Sequence, residues 1–360
     1  MSIPTENEVI SIVSSYFTIR GVTQSPTLLQ IEISETSVTD KFRQFVQQIE
    51  SKNLIARLET NFGRMFIIIS RFEPKKDRRS WIPRALFAAT ITTVMIDGYY
   101  RAISTNSIVN VGDPINISIL YTLSLIGILG IHELGHMVAS NRHKLRISWP
   151  YFIPGIPVLG FVPTFGALIM SRGLMINRNI LFDVGISGPI AGLIVTMIVS
   201  MYGAYISPLI PSSEAQILSS KSGLVELHSS ILMDATISIA GKHLPNQELI
   251  MSPVLLAAWF GFLLTFLNLL PAWQLDGGHM ARATFGLKWH KVLTYVSIGI
   301  LAATGYYIMA LFVLMFSMRS PDARPLDDIS PLSTKRKRIF IFVMVLVFLC
   351  APLPFSILPK

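Results

Sequence analysis

The sequence predicts an α-helical polytopic membrane protein with about six transmembrane helices and a membrane-associated β-hairpin, preceded by a small N-terminal α+β cytosolic domain. Three observations carry that expectation. Of 360 residues, 51% are apolar and 14% are charged, against roughly 25% charged in an average soluble chain. From Ile82 onward, apolar stretches near the ~20 residues that cross a bilayer recur. Residues 1–74, by contrast, have the composition of a soluble domain.

In that first segment, Thr5 and Glu8 form a capping-box pattern ahead of a short helix over Glu6–Tyr16. Strand-like runs follow at Phe17–Val22 and Leu28–Ile33. Val38, Phe42, Phe45, Val46 and Ile49 then recur at helical spacing, predicting an amphipathic helix over Asp40–Lys52. Runs at Ile55–Thr60 and Met65–Ser70 complete an α-β-β-α-β-β order. The segment holds no histidine or cysteine, so a structural, docking or regulatory role is expected of it rather than catalysis.

The apolar stretches are 82–102, 114–141, 179–206, 252–272, 291–316 and 339–357. Between the second and third, Ile147–Met175 is rich in Gly and Pro and too broken for a spanning helix, which suggests a hairpin or a re-entrant loop buried against protein. The polar stretch Ser207–Gln247 reads as an extramembrane loop. The basic cluster Arg71, Lys75, Lys76, Arg78, Arg79 and Arg84 ahead of the first span places the N-terminal domain in the cytosol. Alternation puts Arg142, Lys144, Arg146, Arg172 and Arg178 on the same side, and likewise Arg282, Lys288 and Lys291. One loop conflicts. With six spans, the basic residues from Arg319 to Arg338 fall outside, unless the fifth stretch does not fully cross.

Composition also excludes some classes. The net charge of +9 suits nucleic acid only where basic residues interleave with aromatics on a soluble face; here they flank apolar stretches, so nucleic acid is not an expected partner. A lone Cys350 excludes an intrachain disulfide. The first thirty residues carry Glu6, Glu8 and Arg20 and lack the apolar core of a cleavable signal peptide.

The chemistry lies in His132-Glu133-Leu134-Gly135-His136, inside the second apolar stretch. Histidines at i and i+4 share a helix face about 6 Å apart along the axis and can bind one zinc. Glu133 between them is placed to take a proton from the water on the metal. Buried polar groups in a span are costly and functional by default. At 1.5 Å per residue the motif lies ~12 Å inward of Arg142, within the bilayer and toward its cytosolic side.

A tetrahedral catalytic zinc takes three protein ligands and keeps one position open. The fourth stretch ends in Asn268-Leu269-Leu270-Pro271-Ala272-Trp273-Gln274-Leu275-Asp276-Gly277-Gly278-His279. Asp276 is the best third ligand, with His279 as a competitor. Pro271 and the glycine pair interrupt the helix and let the carboxylate turn inward. Asn268 is placed to donate to a peptide carbonyl or oxyanion, or to hydrogen-bond between helices.

These elements together resemble the site-2 protease family of intramembrane zinc metalloproteases. The carriers are the His132–His136 pair on one span and the Asn268…Pro271…Leu275-Asp276-Gly277 motif ending a later one. Asp183 to Gly192 is similar to the family's small-residue core span, and Pro163-Thr164-Phe165-Gly166-Ala167 to its membrane-associated hairpin. The span order and Leu326–Pro331 are similar to the archaeal and chloroplast-type branch. No PDZ domain is visible, unlike some bacterial members, and residues 1–74 fall outside the resemblance. It implies Zn²⁺ held by His132, His136 and Asp276, with Glu133 as the catalytic base. The implied substrate is the transmembrane segment of another protein, at an integral, multi-pass location in the cell membrane. The 147–175 segment would offer a strand edge to an unwound peptide, making Thr164, Phe165 and Gly166 substrate-binding candidates beside Asn268.

Two other functions share some features. Intramembrane His and Asp also line the paths of transporters and metal-permeation proteins, but a passive metal site does not require Glu133. Prenyl-protein proteases have a similar zinc-binding pair but a glutamate as third ligand, and lack the Leu-Asp-Gly element. Asp97 and Arg101, at i and i+4, read as an interfacial pair, and Asp183 as a carboxylate suited to a helix N-terminus. His143, His228, His243 and His290 are expected outside the core.

Overall fold

The computed structural model describes residues 6–25, 28–35, 38–72, 81–145, 147–155, 163–168, 175–222, 227–319 and 324–352. Thr5, Lys75, Lys76, Arg78, Arg79, Arg146, Arg172, residues 156–162 and 169–174 of the expected 147–175 segment, and residues 353–357 of the last expected span lie outside these residues.

The chain is mostly helical. The N-terminal segment forms α1 (Glu6–Ser14), β1 (Ile19–Gln24), β2 (Leu28–Ile33), α2 (Thr39–Glu50), β3 (Leu54–Asn61) and β4 (Arg64–Arg71). Its antiparallel sheet has the order β1-β2-β4-β3, so β1 and β3 are edges. The apolar stripe of α2 (Phe42, Phe45, Val46, Ile49) is buried, and Ile31, Ala56, Leu58, Ile67 and Ile69 share its core. That core does not stop at the segment's end. Ile176, Ile180 and Leu326 belong to the same cluster, with Leu145 and Val184 packed against it.

Two long helices follow, α3 (Ile82–Asn106) and α4 (Pro114–Arg142). Asp113 caps α4 by accepting from the Asn116 N–H at 3.0 Å. Strands β5 (Tyr151–Pro154) and β6 (Thr164–Leu168) pair antiparallel, Tyr151 opposite Leu168, and Phe152 packs on Phe87 of α3. The Gly- and Pro-rich segment thus carries the expected hairpin strands. Helix α5 (Arg178–Ile206) is capped by Asn177, which accepts from the Ile180 N–H at 2.9 Å.

The expected loop after α5 is structured, with β7 (Leu209–Pro211), α6 (Ser212–Ser222), α7 (Ile231–Ile239) and β8 (Gln247–Leu249). Thr236 of α7 hydrogen-bonds Ser200 of α5 at 2.6 Å. The chain continues through α8 (Pro253–Leu269), α9 (Asp276–Ala303), α10 (Tyr307–Arg319) and α11 (Thr334–Cys350). By length and composition, α4 and α5 are the described helices long and apolar enough to cross a membrane, while α8 and α10 are shorter apolar helices.

The fifth apolar stretch, expected as one span over 291–316, is not one helix. It breaks after Ala303 in a Schellman turn: the Tyr306 N–H donates to Leu301 O at 2.8 Å and the Gly305 N–H to Ala302 O at 3.2 Å. Gly305 has φ +86°, a conformation glycine adopts without steric cost. Helix α10 then packs back along α9. Tyr306 lies against Phe266, whereas Phe312 and Phe316 return to Trp273 at 6.1 and 5.5 Å. Hydropathy alone misses this turn because both legs are equally apolar.

The chain after α10 therefore returns to the end of the bundle where α5 begins. Asp328 accepts from Arg178 Nε at 3.1 Å and from both terminal nitrogens of Arg282 at 3.0 and 2.5 Å. Arg336 pairs with Asp183 at 2.7 Å, and His143 contacts the same carboxylate at 3.1 Å. Asp327 bridges in parallel to both Leu58 and Asn177. A short strand from the late loop is thus laid between the β3 edge and the segment leading into α5.

Candidate metal centre

Helices α4 and α5 pack closely enough to fix the histidines. A methyl group added at Gly135 would lie 2.5 Å from Ser187 O, and at Gly188 it would overlap the His136 ring. The small residues of 183–192, noted in the sequence, make room for the imidazole of His136. Nδ1 of His136 lies 2.8 Å from Val184 O. A carbonyl only accepts, so Nδ1 carries the proton and Nε2 presents its lone pair.

Asp276 reaches the same place from the far side of α8. The chain leaves α8 at Leu269, passes Pro271 and restarts as α9 at Asp276. The loop is pinned from below: the Trp273 N–H donates to Thr294 Oγ1 at 3.0 Å, and His290 Nε2 donates to Trp273 O at 2.9 Å. Trp273 itself sits at φ +43°, unusual for a bulky side chain and tolerated where surroundings over-determine it. At Gly277 and Gly278 any side chain would overlap the carbonyls of Leu269 and Trp273, so the glycine pair is what lets this loop close.

Nε2 of His132 and Nε2 of His136 are 3.2 Å apart, and Asp276 Oδ2 is 3.3 Å from each. The three atoms form a nearly equilateral triangle. Four ligands placed tetrahedrally at ~2.0–2.1 Å from a zinc ion are ~3.3 Å from one another, so the spacing and the donor set fit that metal. Among the described residues this is the one His/Cys/Asp/Glu group with metal-binding geometry. Glu133 is buried next to it, at 7% exposure. His279, the competing ligand, is not a member of the triangle, and its buried Nδ1 has no hydrogen-bond partner among the described residues.

The substrate-binding candidates divide. Asn268 places Nδ2 3.4 Å from His132 Nε2, beside the triangle. Thr164 is buried and its hydroxyl donates to Ile153 O at 2.8 Å while accepting from the Gly166 N–H at 3.2 Å, so it holds the hairpin together. Phe165 and Gly166 lie in β6, which packs against α3 and α4.

Several groups differ from expectation. His290 is buried at 3% exposure, not peripheral; the lysines at 288 and 291 conceal its inward face in the sequence. Asp97 is also buried, receiving Tyr121 Oη at 2.8 Å as well as Arg101 Nε at 2.6 Å. Asp183 is an ion-pair partner of Arg336 rather than a dipole group alone. The roles of Val184 O, Thr294 and Trp273 had no signature, because they act through main-chain atoms or tertiary contact.

Comparison with known proteins gives a consistent picture. The model of Peptidase family M50 matches residues 120–312. A probable zinc metalloprotease of Arabidopsis thaliana, EGY1, chloroplastic, is 31% identical over 232 residues, covering 62% of this chain and 41% of the relative. EGY2 of the same plant, also named a probable chloroplastic zinc metalloprotease, is 28% identical over 240 residues, 64% of this chain and 41% of its own. The rice EGY1 (Oryza sativa subsp. japonica) is 29% identical over 233 residues, 62% and 39% of the two chains. The chain thus spans about two fifths of the length of these curated relatives. No solved structure matches.

Proposed function

The chain belongs to peptidase family M50, and on that premise we propose that it is an intramembrane zinc endopeptidase, hydrolysing peptide bonds within or near transmembrane segments of substrate proteins in regulated intramembrane proteolysis. The observation that carries the reading is the triangle of His132, His136 and Asp276, with edges of 3.2 to 3.3 Å, inside the apolar bundle. The transporter alternative has no comparable support.

In this reading His132, His136 and Asp276 hold zinc. When bound, the metal acidifies water and polarises a carbonyl. Val184 keeps the His136 ring oriented and its tautomer fixed. Glu133, one residue from His132, takes the proton from the attacking water and returns it to the departing amine. Asn268 lies close enough to His132 to serve the developing oxyanion or the peptide carbonyl. A helical substrate hides its carbonyls in i→i−4 hydrogen bonds, so it must unwind first. The edge of the β5–β6 hairpin, with Phe165 and Gly166, would hold the unwound strand by main-chain hydrogen bonds.

The domains we propose are 1–74, a cytosolic α+β unit, and 75–360, the protease. Helices α3, α4, α5, α8 and α11 cross the membrane, while the second half of α9 and α10 form a helical hairpin that enters and leaves on the cytosolic side. This assignment removes the conflict with the positive-inside rule, since Arg324 and Lys335 to Arg338 then lie inside. The exposed tryptophans Trp81, Trp149 and Trp289 and the exposed tyrosines Tyr99, Tyr100, Tyr202 and Tyr205 fit inner and outer interfacial belts. The membrane proposed is the cell membrane; the chloroplast belongs to the names of the plant relatives.

The test is cleavage of a single-span model substrate by the purified chain in detergent. Chelation should abolish cleavage and added zinc restore it, with the cut mapped inside the span. Zinc-loaded protein that cleaves no span in any such substrate contradicts the reading.

A further inference from the structure

The β3–β4 hairpin carries an aromatic side chain that the fold does not use. Register pairs Asn61 with Arg64, leaving Phe62 and Gly63 as a two-residue loop with φ +48° and +75°. Such a type I′ loop favours Asn or Gly at its first position, and a bulky side chain there is disfavoured. Phe62 is also 98% exposed. It thus strains the turn and gains no burial within the chain.

Its direction is set by the strand pairing. Leu58 of β3 and Asn177 both bridge Asp327 in parallel, so β3 runs the same way as the segment that leads into α5. The hairpin tip lies at the leading end. Phe62 is four residues past Leu58, ~13 Å at ~3.3 Å per residue. The same ~13 Å from Asn177 along α5, at 1.5 Å per residue, reaches about Ile186. Packing agrees with that depth, since Val184 and Ile180 of α5 join the core of the N-terminal sheet. Arg64 directly follows the tip on an exposed position, 3.6 Å from Glu32, and an exposed guanidinium there suits phosphate headgroups.

We infer that the Phe62 hairpin is a membrane anchor: the ring enters the cytosolic leaflet at the headgroup–acyl boundary and seats the N-terminal sheet against α5. The inference rests on the membrane reading given above. It assigns the N-terminal segment a lipid partner in addition to its contacts with Leu326 and Asp327.

The test uses the full chain with Cys350→Ala, because Cys350 is buried and the sole native thiol. Single cysteines are introduced by Phe62→Cys, by Gln24→Cys on the exposed end of β1, and by Val345→Cys on the exposed face of α11. Each is nitroxide-labelled, reconstituted in phosphatidylcholine vesicles, and probed with oxygen, which partitions into lipid, and a nickel chelate, which stays in water. The label at 62 is expected to favour oxygen as the label at 345 does, with 24 favouring the chelate. A label at 62 that behaves like 24 overturns the anchor while leaving the membrane reading intact. Shielding of 62 from both reagents, as by a protein partner, overturns it too. If 345 itself faces water, the membrane reading fails and the anchor falls with it.

Discussion

The main-chain carbonyl of Val184 in α5 accepts the Nδ1–H of His136 in α4 at 2.8 Å. One atom of one helix thereby selects the tautomer of a proposed metal ligand on another. It also ties the centre to the first turns of α5, where the N-terminal sheet, the late loop and α11 all attach. Whatever shifts α5 along its axis shifts the orienting partner of His136.

The contact requires close approach. Gly188→Ala should displace the His136 ring, because a methyl there overlaps it. A loss of about 10- to 100-fold in zinc affinity is expected, as for other partners that orient metal ligands. Gly299→Ala, where a methyl meets nothing, is the control. Competition titration with a zinc indicator checks it, and equal affinities would refute the orienting role.

Asp276→Ala should strip zinc from the purified chain, whereas His279→Ala should leave about one zinc per chain. Elemental analysis reads both. The reverse result would move His279 into the ligand set and Asp276 out of it.

Asp328→Ala should destabilise the chain by about 3 kcal/mol or more, since it leaves the nearly inaccessible Arg282 guanidinium without its carboxylate. Glu32→Ala, which removes the partner of the solvent-exposed Arg64 at 3.6 Å, should cost well under about 1 kcal/mol. Denaturant unfolding in detergent compares the two. Equal effects would mean that the Arg178–Asp328–Arg282 cluster does not hold the late loop.

In sealed, right-side-out vesicles, a membrane-impermeant thiol reagent should label Asn246→Cys but neither Gln24→Cys nor Arg324→Cys, all in the Cys350→Ala background. Labelling of Arg324→Cys from outside would restore a complete fifth crossing and dismiss the α9–α10 hairpin.

Much of this arrangement was visible in the sequence where the signal is local. The strands and helices of the first segment follow from periodicities of two and 3.6, and the His132–His136 pair from spacing alone. Asp276 was legible because a proline and two glycines interrupt an apolar run beside it. What escaped is non-local or conformational. The Leu58–Asp327–Asn177 bridges join segments far apart in the chain, through main-chain groups that every residue possesses. The turn at Gly305 lies inside an unbroken apolar run, where hydropathy is blind to direction. His290 lies between lysines, and nothing local says that its ring turns inward to hold Trp273.

The most direct test of the central claim is Glu133→Gln, which keeps size and hydrogen bonding but cannot take a proton. Wild type and variant are compared for zinc content and for cleavage of a single-span substrate in detergent. The expected result is about one zinc per chain in both, with cleavage in the wild type alone. Equal cleavage by the two proteins would contradict the account.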